Sequence, residues 1–191
     1  MNETLVMVRH AETAWNKEQR LQDSRDLPLS PEGILQAESL AQQLHSPGIS
    51  HVLSSELQRA VQTAQIIANK LHVPLETNPG LNERSYGALE GRLWPEIKEE
   101  IKTKKISLDE FAEPIDMFRN RVLKALGKTL LKYSGETTLI VCHGGGLRIL
   151  LDHLGLPSSD HTNIGYELPN ASFFVFENRE NTWINRTPTT P

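Results

Sequence analysis

The side chains in this chain that are best suited to chemistry are two arginines, two histidines and a glutamate: Arg9, Arg59, His10, His143 and Glu83. An arginine is always charged and offers a rigid fork of donors, so Arg9 and Arg59 suit an anionic phosphoryl group. A histidine titrates near neutral pH and can act as a nucleophile. Together these residue types indicate chemistry on a phosphomonoester.

The predicted reaction has His10 as the nucleophile. One ring nitrogen attacks phosphorus and forms a phosphohistidine, while the other is expected to bond a backbone carbonyl that fixes the tautomer. Glu83 is the predicted general acid for the leaving alkoxide and then the base for the attacking water. Arg9, Arg59 and a protonated His143 would neutralise the phosphoryl charge, so the scheme needs no metal and no cofactor.

These residues follow short apolar runs that are typical of buried strands. The runs cover residues 5–8, 51–54, 74–77 and 137–142. Arg9 and His10 follow the first run, and Arg59 follows the second. Glu83 follows the third run, which has the weakest strand pattern, and His143 follows the fourth. Ligands of parallel α/β sheets bind at the carboxyl ends of the strands, so neighbouring strands would bring all five residues to one edge.

Apolar residues at helical spacing connect these runs. They predict helices over 30–44, 55–71, 113–133 and 146–154, a short helix beginning at 93–97, and a closing strand pair at 172–176 and 182–185. The pattern indicates an α/β fold with a mostly parallel central sheet. We expect one domain over residues 1–186, with 92–120 as a candidate lid or cap, and a disordered tail at 187–191.

The net charge, the N-terminal segment and the cysteine count limit the binding partners and the cellular location that we expect. The net charge of −4 predicts neither nucleic-acid nor anionic-membrane binding. With no basic leader or long apolar stretch at the N-terminus, we expect a cytoplasmic protein. Cys142, the single cysteine, excludes an internal disulfide. It is interpreted as a small core residue, with a cysteine nucleophile as the alternative.

Each candidate also has a purely structural interpretation. Arg9 and Arg59 have Glu12 and Glu56 as candidate ion-pair partners, and His143 could cap the helix that follows it. The basic cluster at 102–105 is either a solvated helix end or a lid that reaches for a substrate anion. The functional interpretation is preferred because five such residues at strand ends are hard to explain separately.

The same residues carry a family resemblance. Arg9-His10-Ala11-Glu12-Thr13, the arginine helix around Arg59, the acid loop Asn82-Glu83-Arg84 and His143-Gly144-Gly145 occur in the family's order. The chain resembles the histidine phosphatase superfamily, also called the phosphoglycerate mutase-like family. The resemblance implies a three-layer α/β/α sandwich, a phosphohistidine at His10 and acid/base catalysis by Glu83. It implies phosphate binding by Arg9, Asn16, Arg59 and His143, with Thr13, Gln22 and Gly144 at positions that often contact phosphate or substrate.

Two positions depart from the family pattern. The hallmark glycine is Ala11, and the glycine common in the next segment is Asp23. A positive φ at Ala11 would cost about 1 kcal/mol, and otherwise the methyl group is expected to narrow the pocket. Asp23 is expected to bring negative charge to the entrance, where it disfavours highly anionic substrates or pairs with Arg20 or Arg25.

The family contains phosphatases and mutases. Mutases carry a long insertion with extra arginines between the acid and the second histidine, whereas here that segment is short and has no adjacent arginine pair. This favours a phosphatase acting on a small phosphorylated metabolite. A cofactor-dependent mutase-type transfer, supported by the mutase-like acid loop, and a non-catalytic phospho-ligand binding module are the alternatives. An α/β-hydrolase lacks its Gly-x-Ser-x-Gly motif here, and a metal hydrolase lacks paired histidine spacing.

Overall fold

One six-stranded sheet organises the protein. The computed structural model describes residues 3–44, 48–104, 108–156 and 168–188. The strands are β1 (Glu3–Arg9), β2 (His51–Ser54), β3 (Leu75–Thr77), β4 (Thr137–Cys142), β5 (Phe173–Arg179) and β6 (Thr182–Asn185). Their order is β3-β2-β4-β1-β5-β6, with β1 to β4 parallel and β5 and β6 antiparallel. The predicted α/β fold with a mostly parallel sheet is confirmed.

The two central strands are apolar on both sides because helices cover both faces of the sheet. The helices are α1 (Ala14–Lys17), α2 (Pro31–Gln43), α3 (Gln58–Leu71), α4 (Trp94–Lys104), α5 (Ile115–Lys132) and α6 (Gly144–His153). Alternate residues of β1 pack on α2 and α3 through Val6 and Val8, and on α5 and α6 through Leu5 and Met7. The result is the three-layer sandwich that the resemblance implied.

Helix ends differ from the sequence predictions for local reasons. α3 begins at Gln58 instead of 55, because the Ser55 hydroxyl accepts a hydrogen bond from the Leu57 amide and forms a turn before the helix. α6 begins directly at Gly144, since His143 is still extended at φ −119° and ψ 171°. α1 is a single turn capped by Thr13, too short to show as apolar periodicity.

The candidate lid, residues 92–120, contains α4, a 3₁₀ turn at Leu108–Glu110 and the first residues of α5. At the other end of the chain, the Thr187 hydroxyl accepts a hydrogen bond from the Val175 amide at 3.0 Å, so the chain still contacts β5 there. Residues 189–191 of the predicted tail and Lys105 of the basic cluster lie outside the described residues. None of the helices within the described ranges is long and apolar enough to cross a membrane.

The strand register brings the polar residues to one edge. Arg9 pairs with Cys142 across β1 and β4, and Ser54 pairs with Val141 across β2 and β4. The carboxyl ends of these three strands therefore stop at the same level. The residues that follow them, His10, His143 and Ser55, meet at the edge of the sheet where ligands of such folds bind.

Candidate active site

The two predicted histidines lie side by side in the interior. Their ring centroids are 5.1 Å apart, and the rings are 3% and 0% exposed for His10 and His143 respectively. This proximity follows from the pairing of β1 with β4, which the His10 amide extends by donating to the Cys142 carbonyl at 2.9 Å. Parallel neighbouring strands thus join two motifs that are far apart in the sequence.

His10 has the tautomer expected of a nucleophile. Its Nδ1 lies 2.7 Å from the carbonyl oxygen of Ala11. A carbonyl only accepts, so Nδ1 carries the hydrogen and Nε2 keeps its lone pair. Burial, reinforced by the charges of Arg59 and Arg9, holds the pKa of His10 well below its usual range. His10 is therefore neutral near pH 7.

Arg9 and Arg59 converge beside His10. Arg9 Nη1 donates to the Leu168 carbonyl, while Arg59 Nη2 and Nη1 donate to the carbonyls of Asp23 and Arg25 at 3.0 and 3.3 Å. The Nε atoms of both guanidinium groups are buried and have no hydrogen-bond partner in the described part of the chain. Burial lowers the pKa of both groups, and the Glu83 carboxylate partly opposes that effect. Two buried N–H donors without acceptors indicate an anion site.

The ion pairs considered for these arginines do not form. Glu12 accepts a hydrogen bond from the Ser30 hydroxyl at 2.8 Å. The acceptors of Arg59 are backbone carbonyls instead of Glu56. A guanidinium bound to carbonyls keeps its full positive charge available, whereas an ion pair would cancel it.

His143 is placed as predicted, but it is neutral where a protonated side chain was expected. Its Nε2 lies 2.8 Å from the Ser55 hydroxyl, which donates its own hydrogen to Asn82 Oδ1 at 2.9 Å. The Glu56 amide also donates to that Oδ1, which fixes the orientation of the Asn82 amide group. Nε2 must therefore carry the hydrogen, and Nδ1 is a buried lone pair without a partner among the described residues.

Burial also explains the charge state of His143. Burial, followed by the charges of Arg59 and its neighbours, holds the pKa of His143 well below its usual range. The side chain makes no hydrogen bond that caps α6, so the capping interpretation is wrong.

Glu83 contacts the start of α6. Its Oε2 accepts a hydrogen bond from the Gly145 amide at 3.2 Å, and its Oε1 accepts one from the Arg84 amide at 2.9 Å. A Cβ at Gly145 would lie 2.5 Å from Oε1 and 3.0 Å from the Phe118 ring. Only a glycine at position 145 lets the carboxyl group approach the helix this closely.

The loop that carries Glu83 is held by α5. Arg121 donates to the carbonyl of Glu83 at 2.7 Å and pairs with Glu113 at 2.8 Å. Arg84, the next residue, donates to the Glu113 carbonyl at 2.7 Å and pairs with Asp109. These contacts fix the backbone around Glu83 to α5 and to the residues just before it.

Of the remaining predicted residues, Thr13, Asn16 and Gln22 lie in the segment that follows β1, and Gly144 begins α6. The Asn16 Oδ1 accepts hydrogen bonds from the Thr13 amide at 3.0 Å and from Asn170 at 3.2 Å, which leaves its NH₂ donors for a ligand. Thr13 is fully buried, and its hydroxyl donates to Gln22 Oε1 at 2.8 Å, so both side chains order the loop. Gly144 lies against Arg9, where a Cβ would be 3.8 Å from Nε.

Neither departure from the family pattern strains the site. Ala11 does not have a positive φ. Its methyl group is buried with Leu29 and Ala37, away from the expected narrowing of the pocket, and its amide donates to the Thr63 hydroxyl at 3.0 Å. The alanine therefore costs nothing in backbone strain.

Asp23 has a different role from the one expected. The residue is buried, and its carboxylate accepts hydrogen bonds from the backbone amides of Ser24 and of Tyr86, the latter at 2.6 Å. The predicted pairing with Arg20 or Arg25 is wrong, because the amides already satisfy the carboxylate. Asp23 instead joins its own segment to the acid loop.

Several residues that position the side chains of the site were not predicted from the sequence. Ser55 orients His143, Gly145 admits Glu83 and Arg121 fixes the acid loop. Ser55 could have been found, since it directly follows β2, whereas the partners of Arg121 depend on tertiary contacts alone. Arg148, one turn along α6 from Gly144, is close enough for its charge to lower the pKa of Arg9.

Cys142 is a core residue. It is 1% exposed, and burial raises the pKa of its thiol far above neutral pH. Because the thiolate is the reactive form, this thiol is inert. Within the described ranges, no group of three or more His, Cys, Asp or Glu side chains is arranged to hold a metal ion.

The chain is similar in sequence and in fold to several known proteins. A probable phosphoglycerate mutase GpmB of Yersinia pestis is 36% identical over 190 residues, covering 94% of this chain and 87% of that protein. Among solved structures, Bacillus stearothermophilus YhfR has a TM-score of 0.83 at 28% identity, covering 97% and 96% of the two chains. A phosphoserine phosphatase of Entamoeba histolytica, solved with 3-phosphoglyceric acid, has a TM-score of 0.82 at 26% identity, covering 98% of each chain.

The family model of the histidine phosphatase superfamily (branch 1) matches residues 5–189, nearly the whole chain. The proteins to which this chain is similar include one named as a probable mutase and one named as a phosphatase. This chain, whose histidines and arginines converge at one edge of the sheet, therefore belongs to the histidine phosphatase superfamily.

Proposed function

We propose that this protein is a metal-independent phosphatase that hydrolyses phosphomonoesters through a phosphohistidine on His10, with Glu83 as general acid and base. One observation carries the proposal: the buried Nε–H groups of Arg9 and Arg59 have no acceptor in the described structure, next to a histidine that presents a free lone pair. A phosphoryl dianion would satisfy both donors and place phosphorus within reach of Nε2.

In the first step, the Nε2 lone pair of His10 attacks phosphorus and the bond to the ester oxygen breaks. The leaving oxygen takes the proton of the Glu83 carboxyl group, so an alcohol departs instead of an alkoxide. Nδ1–H keeps its hydrogen bond to the Ala11 carbonyl, which stabilises the positive charge that develops on the ring. In-line displacement requires Glu83 on the side of phosphorus opposite His10.

In the second step, the Glu83 carboxylate takes a proton from water, and the oxygen of that water attacks phosphorus. The bond between phosphorus and Nε2 breaks, so His10 returns to its neutral form and inorganic phosphate leaves. Arg9 and Arg59 hold the phosphoryl oxygens through both steps and supply the positive charge that many phosphatases obtain from metal ions.

The neutral His143 ring makes phosphate binding depend on a proton. Its Nδ1 is a lone pair in the neutral ring, and a lone pair repels the oxygens of a dianion. Phosphate binding therefore either protonates Nδ1, which converts it into a charged donor, or brings the hydrogen on the phosphate itself. The chain of Asn82, Ser55 and His143 keeps Nε2–H fixed, so a proton taken up by the ring itself is at Nδ1.

The phosphatase is favoured over a mutase by the arginines between Glu83 and His143. Each of the four is bound to a carboxylate of this chain: Arg84 to Asp109, Arg92 to Glu100, Arg119 to Asp152 and Arg121 to Glu113. A mutase must also hold the acid group of its substrate through a second transfer, and these four arginines are committed to contacts within the protein. A small phosphorylated metabolite is the proposed substrate, in line with the phosphoserine and 3-phosphoglyceric acid bound by structural neighbours.

Phosphoglycerate mutase activity is the second candidate. The observation that favours it is the 36% identity, over nearly the full length, to the probable mutase GpmB. The two activities share His10 and Glu83, and differ in whether water or a second acid accepts the phosphoryl group.

The test is phosphate release from a panel of phosphorylated metabolites in excess EDTA, with wild type and His10→Ala. We expect turnover that survives EDTA and disappears in the variant. Labelled substrate quenched in alkali should leave the label on wild type only, since phosphohistidine survives alkali and phosphoserine does not. The same reactions analysed for interconversion of 2- and 3-phosphoglycerate test the mutase.

A variant at Cys142 provides the matched control, because its buried thiol takes no part in the scheme. Full activity of His10→Ala would refute the phosphohistidine route. Isomerised product without released phosphate would establish the mutase in place of the phosphatase.

A further inference from the structure

Arg59 is a fully buried arginine whose acceptors come from an irregular segment of the surface. Its Nη2 and Nη1 donate to the carbonyls of Asp23 and Arg25 at 3.0 and 3.3 Å, and in the described part of the chain its Nε–H has no acceptor. Residues 23–25 belong to no helix or strand, and Ser24 and Arg25 are exposed. A segment without backbone ladders of its own opens easily, so other contacts must hold these two carbonyls in place.

The carboxylate of Glu90 holds this segment. Glu90 Oε1 accepts hydrogen bonds from the amides of Asp23 at 3.1 Å and Arg25 at 2.6 Å, the same two residues whose carbonyls bind Arg59. Glu90 Oε2 accepts a hydrogen bond from the Ser24 hydroxyl at 3.3 Å. Because the amide and the carbonyl of a residue flank the same Cα, fixing the two amides also fixes the direction of the two carbonyls.

Glu90 and the segment are joined by further contacts. Directly after Glu90, the Gly91 amide donates to the Leu21 carbonyl at 2.9 Å. In the other direction, the Asp23 carboxylate accepts a hydrogen bond from the Tyr86 amide at 2.6 Å. The contacts are therefore reciprocal: Glu90 gives a carboxylate to the segment, and Asp23 gives one to the acid loop.

Neither carboxylate uses up the guanidinium of Arg59. Glu90 and Asp23 accept hydrogen bonds from backbone amides, and the Nη atoms of Arg59 bind neutral carbonyls. Burial lowers the pKa of Arg59, and nearby carboxylates, Glu90 and Asp23 among them, oppose this effect. Their charges thus compensate the buried cation without a direct ion pair, and the Nε–H group stays open to phosphoryl oxygens.

Resting on the proposed function, we propose that Glu90 is a positioning residue for Arg59: it fixes the carbonyls of residues 23 and 25, and these aim the Nε–H of the guanidinium at the phosphoryl group. Asp23, where the family pattern has a glycine, ties the same segment back to the acid loop. The arginine that binds the phosphoryl group and the loop that carries the proton donor are then held by one set of contacts. Glu90 acts through the reach of its oxygen atom, and not through its charge.

The test measures the Kd of inorganic phosphate by titration calorimetry, which does not depend on turnover. Two substitutions separate reach from charge: Glu90→Gln keeps an acceptor oxygen at the same position, whereas Glu90→Asp keeps the charge and draws the oxygens back by one methylene group. We expect Glu90→Asp to weaken phosphate binding by roughly 10- to 100-fold, the value of a charge-assisted hydrogen bond, and Glu90→Gln to change it by less than about threefold. Ser24→Ala removes only the hydroxyl group that contacts Oε2, and this control should bind phosphate like wild type.

A double-mutant cycle with Arg59→Lys distinguishes positioning from a general structural role. If Glu90 acts through the Arg59 fork, Glu90→Asp should weaken phosphate binding by less than about threefold once Arg59 is replaced by lysine. Independent losses that multiply would overturn the proposal. A larger loss in Glu90→Gln than in Glu90→Asp would also overturn it, because charge would then be the cause. If Glu90→Asp does not fold, a loss above about tenfold in Glu90→Gln refutes a role through reach, and an unchanged Kd supports it.

The result also separates this proposal from the phosphatase activity. A wild-type protein that binds phosphate and hydrolyses no ester would count against the phosphatase and leave the role of Glu90 standing. Turnover by wild type together with unchanged phosphate binding in Glu90→Asp would refute the positioning role alone. Absence of phosphate binding by wild type would overturn both.

Discussion

Substitution of Gly145 by alanine should separate proton donation from phosphoryl transfer. The new Cβ would lie 2.5 Å from Glu83 Oε1, whereas ordinary contacts begin at 3.4 Å. The carboxyl group must therefore move by about 1 Å, because the Phe118 ring at 3.0 Å blocks retreat of the methyl group. A displacement of that size costs about 100-fold when the displaced group takes part in the reaction.

The assay compares two leaving groups. Glycerol 3-phosphate needs a proton on its alkoxide, while p-nitrophenyl phosphate releases a stable phenolate without one. We expect Gly145→Ala to lower the single-turnover rate of phosphoryl transfer from glycerol 3-phosphate to His10 by about 100-fold, and the corresponding rate from p-nitrophenyl phosphate by less than about tenfold. Single turnover isolates the first step, because Glu83 is also the base of the second step, which both substrates share. Overpacking should also lower the free energy of unfolding by about 1–3 kcal/mol, measured by urea denaturation.

Gly146→Ala is the matched control. Its Cβ would meet only Cys142, at 3.9 Å, an ordinary contact. This variant should keep both activities and gain slightly in helix stability. The reasoning fails if a folded Gly145→Ala enzyme loses both activities equally, because Glu83 would then not be the displaced proton donor, or if it loses neither.

Four further predictions concern titratable side chains. Below about pH 6.5 the unfolded chain binds protons at His10 and His143 that the native protein does not, because the pKa values of both histidines in the folded protein lie well below their usual range. The free energy of unfolding should therefore decrease as the pH is lowered, by about 1.4 kcal/mol per pH unit for each histidine. Urea titrations at several pH values check this, and His10→Ala should lose half of the pH dependence that the two histidines contribute. Phosphate binding at pH 7 should take up as much as about one proton, at His143 Nδ1 or on the phosphoryl oxygen that meets it, measured calorimetrically in buffers of different ionisation enthalpy, and zero uptake would contradict the assigned tautomer. Asp23→Ala should cost about 1–3 kcal/mol in urea by leaving two amides without their acceptor, and a change within error would refute this role. Iodoacetamide should leave native Cys142 unmodified and the activity intact, and rapid inactivation would contradict the inert thiol.

The sheet was predictable because its strands are simple in sequence. Runs such as 137–142 are apolar on both faces, and the polar residues that follow them mark the ligand-binding edge. Strand order was not predictable from spacing: β4 lies between β1 and β2 although it is synthesised long after both. The resemblance supplied the architecture that local patterns do not specify.

Parts of the site depend on long-range contacts that have no local signature. The position of Glu83 is set by Arg121 and by Gly145, which come from different helices. Asp23 was misjudged for the same reason. An isolated aspartate near an entrance suggests repulsion or an ion pair, and only the fold shows that two backbone amides surround it.

The central position of β1 has a consequence for how this protein is made. β1 is bonded on one side to β4 and on the other to β5, and Val6 pairs with Leu139, roughly 130 residues later. During synthesis the apolar residues of β1 emerge long before those of β4 and β5, so native pairing of β1 waits for both of these later strands. Folding should therefore be slow and chaperone-sensitive for a chain of this size, and His10 should gain its reactive environment only in the final stage.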